Sequence, residues 1–215
     1  MTVSLVHTTK DGEQLIAYMA RVSNPNNQDS TDYHRLIKYL IKHKHWSPFE
    51  MVNICVEIET TRSIAAQILR HRSFSFQEFS QRCSKTDKAS PTDIRRQDTK
   101  NRQNSIDDID EFTVQEFQVK QQGLFDLSYN LYEEMLAAGV AKECARDVLP
   151  LCTPTKLYMN GTLRSWLHYC DLRCANGTQK EHMLIANDVK SIIANHYPNV
   201  YTAMWDDDYR LSKIS

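Results

Sequence analysis

Apolar residues recur along this chain with two different periods, and the switches between them mark out the elements. In DGEQLIAYMARV, Leu15, Ile16, Met19 and Val22 return at helical spacing behind Asp11, a candidate cap. STDYHRLIKYLIKH repeats the pattern with Leu36, Ile37, Leu40 and Ile41. Pro48 in KHWSPFE has no N–H and biases Ser47 away from helix, so the pattern breaks there. Val52, Ile54, Val56 and Ile58 then alternate with Asn53, Cys55 and Glu57, as in a half-buried strand. TTRSIAAQILRHR returns to helical spacing through Ile64 and Ile68. Ser73 to Phe76 alternates again. Continued, that register would put Phe74, Phe76, Glu78, Ser80 and Arg82 on one face, so the strand is expected to give way to an irregular loop before Glu78.

Ser84 to Asn104 is polar and without period around Pro91. From Arg82 to Arg102 there are seven bases and three acids, a net charge of +4, which predicts a mobile basic loop at about 84–104. The segments on either side are too incomplete to be separate cores, so residues 1–215 read as a single domain. A long helix is expected from near Phe112 to Gly139, with Phe117, Leu124, Leu131 and Met135 as its buried seam. AKECARDVLP reads as a short helix stopped by Pro150, and TKLYMNGT as a short strand. LRSWLHYCDLR and EHMLIANDVKSIIANHY read as two more amphipathic helices. Several helices, one of them long, around a small, mostly antiparallel sheet make an α+β fold.

Composition narrows the function. A formal net charge of -1 excludes a polybasic nucleic-acid binder. No apolar run approaches the ~20 residues of a membrane span, and the N-terminal stretch has no secretory-signal pattern. Six scattered cysteines without a CxxC pair fit free thiols in a reducing cytoplasm. The five glycines form neither a GxGxxG turn nor a P-loop. Any bound phosphate must therefore be held mostly by side chains, which directs attention to the arginines.

The stretch LRHRSFSFQEFSQR concentrates Arg70, His71, Arg72 and Arg82 beside three phenylalanines. On a regular helix Arg70 and Arg72 would point ~200° apart and serve different anions. Gln67 would share a face with Arg70, suiting a base amide and a phosphate, and Ser80 with Arg82 makes a common phosphate pair. The plainer reading is a solvated helix end with cations at its negative pole. Arg146 and Arg173 lie near apolar helix positions and suit either a ligand or an ion-paired core. Ser80 has no GxSxG elbow, which argues against a hydrolase nucleophile. Cys170 and Cys174, with His168 and His182 nearby, match no common zinc spacing and read as packed side chains; no metal is expected.

Arg70-His71-Arg72, seven residues, then Ser80 resembles the signature of the flavin-dependent thymidylate synthases. HKHWSPFE, ECARDVLP and RSWLHYCDLR resemble three further segments of that family, in family order, from about His43 to Arg173. FSFQEFSQR and NGTQKEH look most like members from large DNA viruses or phages. The resemblance implies conversion of dUMP to dTMP, with FAD as cofactor, methylenetetrahydrofolate as carbon donor and NADPH as reductant. It also implies a cytoplasmic homotetramer (in the host cytoplasm for a viral member) whose active sites form between subunits, with no membrane and no stable nucleic-acid partner. By residue it implies FAD contacts from Ser47, Glu50, Arg70, His71, Arg72, Glu78, Thr162, Arg164 and His168. The implied dUMP contacts are Gln67, Arg70, Glu78, Phe79, Ser80, Gln81, Arg82, Arg146 and Arg173. Ser80 and Arg173 would be catalytic, Arg173 by favouring the N3-ionised uracil. The chain departs from the common pattern at Gln77, Thr162 and His168, where many members carry Asn, and at Gln81, where Gly is common. The rival from another class is a single-stranded nucleic-acid-binding protein using the basic loop, the triplet and the phenylalanines. A zinc hydrolase comes last.

Overall fold

The structure, a computed structural model, describes residues 1–206 of the 215 in the chain. Four strands form one antiparallel sheet in the order β1–β2–β6–β3: β1 Thr2–Thr8, β2 Asn53–Thr61, β6 Pro154–Thr162 and β3 Phe74–Glu78. Ile54, Val56 and Ile58 of β2 and Leu157 and Met159 of β6 are fully buried, while Glu57 and Glu59 line the other face with Lys156. Six helices complete the core: α1 Gly12–Ala20, α2 His34–Lys42, α3 Arg62–Ile68, α6 Leu163–Arg173, α7 Lys180–His196 and α8 Pro198–Trp205. Ile16, Ile37, Ile64, Trp166, Val189 and Val200 are their deepest contributions. This is the α+β architecture that the periodicity predicts.

Two elements escape the pattern. In β1 the register shifts between Leu5 and His7, and this bulge breaks the alternation that would mark a strand. Helix α8 takes its cap from far away in sequence. The buried Glu13 carboxylate accepts the N–H groups of Asn199 (2.7 Å) and Val200 (3.0 Å). Asp11, the expected cap of α1, makes no such bond. It sits in a left-handed conformation (φ 51°), and its carbonyl accepts from Leu15 N–H instead.

Strand β3 runs on through Glu78, correcting the expected early end. Arg62 Nη1 (2.7 Å) and Thr155 Oγ1 (3.0 Å) donate to Glu78 Oε1, so the carboxylate tolerates a half-buried strand position. The seam expected for the long helix, α4 Glu111–Ala137, is also corrected. Phe117, Leu124 and Leu131 are exposed, and the buried pair is Phe125 and Tyr132. That face lies one residue, about 100°, around the helix. It faces a short helix, α5 Lys142–Ala145, and the turn Arg146–Val148 rather than the sheet. Between β3 and α4 the basic segment forms a small hairpin of β4 Arg96–Gln97 and β5 Ser105–Ile106. Four of its cations are answered by acids: Lys85 by Glu133, Lys88 by Asp126, Arg95 by Glu181 and Arg96 by Asp108.

Candidate functional site

The Arg70–Arg72 triplet lies in the turn between α3 and β3, not on the helix, which removes the ~200° argument. Helix α3 ends at Ile68, and Phe74 must already pair with Gly161, so the chain reverses in between. Arg70 and Arg72 are exposed, and among the described residues neither has an ion-pair partner. His71 is half-buried between them, edge-on to Tyr169 at 5.0 Å. Arg173, the last residue of α6, donates from Nε to His71 Nε2 at 2.9 Å. Burial, then the charges of Arg173 and His168, lowers the His71 pKa to about 4. A neutral imidazole that accepts at Nε2 carries its proton on Nδ1, which leaves that N–H for a ligand.

Beside this turn is a cavity of about 470 Å³, lined among others by Trp46, Glu50, Ser73, Arg164, Leu167 and His168. Arg164 pairs with Glu50 in its lining. Thr162 caps α6 by accepting Ser165 N–H at 3.3 Å, and Ser165 Oγ donates to the Ser73 carbonyl. Ser47 opens the one-turn helix Ser47–Met51 that carries Glu50. Gly161 lets the Phe74 ring lie flush on β6, for a Cβ there would meet the ring at 2.4 Å.

The remaining residues implied by the resemblance lie at the other end of β3. Ser80 and Arg82 line a cleft with Cys83, Ala141, Lys142 and Glu143, and Arg82 Nε donates to Glu143 at 3.0 Å. Phe79 N–H bonds the Lys156 carbonyl, and Gln81 is buried with Nε2 unpartnered. Arg146 is half-buried, with Asp147 at 4.0 Å. Four strand steps from Phe74 to Glu78 span roughly 13 Å. One chain therefore does not bring Arg70, Ser80, Arg82, Arg146 and Arg173 into a single cavity among those described. The structure does join Gln67, His71 and Arg173 to two residues that sequence reasoning left out of the site, Tyr169 and His182. The available signal was a histidine on the apolar face of EHMLIANDVKSII, at position 182, which is fully buried.

A family model described as "Thymidylate synthase complementing protein" (Thy1) matches residues 4–199. A flavin-dependent thymidylate synthase of Synechocystis is 54% identical over 192 residues, covering 89% of each chain. A probable flavin-dependent thymidylate synthase of Paramecium bursaria Chlorella virus 1 is 48% identical over 206 residues, covering 95% of each. Among solved structures, a UMP/dUMP methylase PolB from Streptomyces cacaoi, bound with 5-Br UMP, superposes with a TM-score of 0.83. It is 26% identical and covers 94% of this chain and 92% of its own.

Proposed function

The chain belongs to the flavin-dependent thymidylate synthase family, and from that premise we propose that it methylates dUMP to dTMP, taking the carbon from methylenetetrahydrofolate and the reducing equivalents from NADPH. The observation that carries this reading is the turn that holds two exposed guanidinium groups, Arg70 and Arg72, without an ion-pair partner among the described residues, beside the Arg173–His71 bond. The donor set fits a flavin nucleotide. Trp46, Leu167 and Met204 offer apolar walls for a ring system, and Arg164 with the turn arginines offers cations for its phosphates. His71, Arg72, Arg164 and His168 would hold FAD, with Ser47, Glu50 and Thr162 placing them. When bound, FAD supplies the hydride that completes the methyl group.

The chain's own residues do the rest. Arg173 uses Nε on His71, which leaves its terminal nitrogens for the uracil. A cation fixed there stabilises the ring as its N3 loses a proton. Ser80 and Arg82, with Arg146, would take the phosphate, while Arg62 pairs with Glu78, the last residue of β3. Because these two sets sit at opposite ends of β3, a complete site needs two chains. The exposed apolar face of α4 (Phe112, Phe117, Leu124, Leu127, Leu131) supports self-association, which we take to be a homotetramer working in the cytoplasm.

The test is an absorbance spectrum of the purified protein, then anaerobic NADPH with and without dUMP. Flavin bands that bleach, and dTMP formed once methylenetetrahydrofolate is added, support the reading. A colourless protein that takes up no FAD overturns it.

A further inference from the structure

Gln67 lies inside a chain of hydrogen bonds that runs from Gln179 to Tyr169. Gln67 Nε2 donates to Gln179 Oε1 at 2.7 Å. Gln67 Oε1 then faces His182 Nδ1 at 3.3 Å, and His182 Nε2 faces the Tyr169 hydroxyl at 3.1 Å. His182 is fully buried, and burial, then the charges of Arg173 and His71, lowers its pKa to about 3. A neutral imidazole has one N–H. With an amide oxygen at Nδ1, that proton sits on Nδ1, and Nε2 accepts from Tyr169.

We propose that His182 is a positioning residue that locks the Gln67 side-chain amide in one orientation, so that its remaining N–H is presented at a fixed place to an acceptor oxygen of the pyrimidine. The inference rests on the reading of Gln67 as a substrate contact. A free glutamine amide can flip and exchange its donor for its acceptor at little cost. The held amide resists a flip, because a flip would set its N–H groups against His182 Nδ1–H and its oxygen against that of Gln179, and both of those side chains would have to reverse with it. Uracil offers a carbonyl oxygen at C4, where cytosine offers an amino group. The lock therefore favours dUMP over dCMP, since the wrong base leaves two donors facing each other.

The experiment titrates the FAD-loaded enzyme with dUMP and with dCMP. His182→Leu is expected to narrow the dUMP preference by about tenfold, mostly by raising the KM for dUMP while kcat is largely kept. His182→Asn, which restores an N–H near the Nδ1 position, recovers the preference. An unchanged ratio in His182→Leu overturns the proposal. ¹⁵N-histidine NMR of the unmutated enzyme decides the lock without any variant. A neutral, Nδ1-protonated His182 at pH 6 is required, and an Nε2-protonated ring overturns it. Wild-type enzyme that binds neither nucleotide overturns the substrate reading, while the tautomer still decides the lock.

Discussion

Two imidazoles with lowered pKa values, His71 near 4 and His182 near 3, give the site its pH behaviour. Unfolded histidine titrates near 6.5. Between that value and the folded ones the unfolded chain binds more protons, so stability is complete above pH ~6.5 and falls as pH drops toward 4 and 3. Urea denaturation at pH 7, 6, 5 and 4 should show this decline. Each group contributes at most ~1.4 kcal/mol per pH unit. His182→Leu should flatten it. Arg173→Ala removes a cation from the proposed uracil position and from His71 together. We expect kcat/KM for dUMP to fall by roughly a hundredfold, and the His71 resonance to titrate closer to neutrality. Normal turnover in Arg173→Ala would contradict its proposed role.

At the level of elements, the seam between β3 and β6 positions the triplet. Gly161 sits against the Phe74 ring, which is itself packed on Trp166 at 4.6 Å and has little room to retreat. Gly161→Ala should cost ~1–3 kcal/mol by overpacking, read by denaturation, and should weaken flavin retention because the cavity wall at Ser73 shifts with β3. Helix α4 raises the opposite question, since its outward face is apolar over several turns. Placing a charge there, as in Leu124→Glu, should leave the chain folded but shift it to smaller species in sedimentation, with loss of activity. An unchanged mass would remove α4 from the interface.

For the whole molecule, the separation of Arg82 from Arg173 along β3 makes a direct prediction. Arg82→Ala and Arg173→Ala, each strongly impaired alone, should regain activity when their subunits are exchanged, because one mixed site holds both native arginines. Random mixing between two-chain sites gives about a quarter of wild-type activity. No recovery would mean that each site is built within one chain.

Much of this was legible in the chain itself, because burial of an apolar stripe is a local pattern. β2, α1, α2 and α6 follow from spacing, and the triplet, Ser80 and the arginine segments follow from residue type and order. The tertiary structure decided what depends on partners distant in sequence. Glu13 caps α8, Arg62 lets β3 pass through Glu78, and acids on α4 and α7 answer the basic segment. It also decided which face of α4 is buried, for a periodic helix does not state what packs on it. The division of the arginines between the two ends of β3, and the burial of His182 behind Gln67, follow from sheet order and helix packing. Neither leaves a mark in sequence spacing, because a side chain's solvation and hydrogen-bond partners are set by what folds over it.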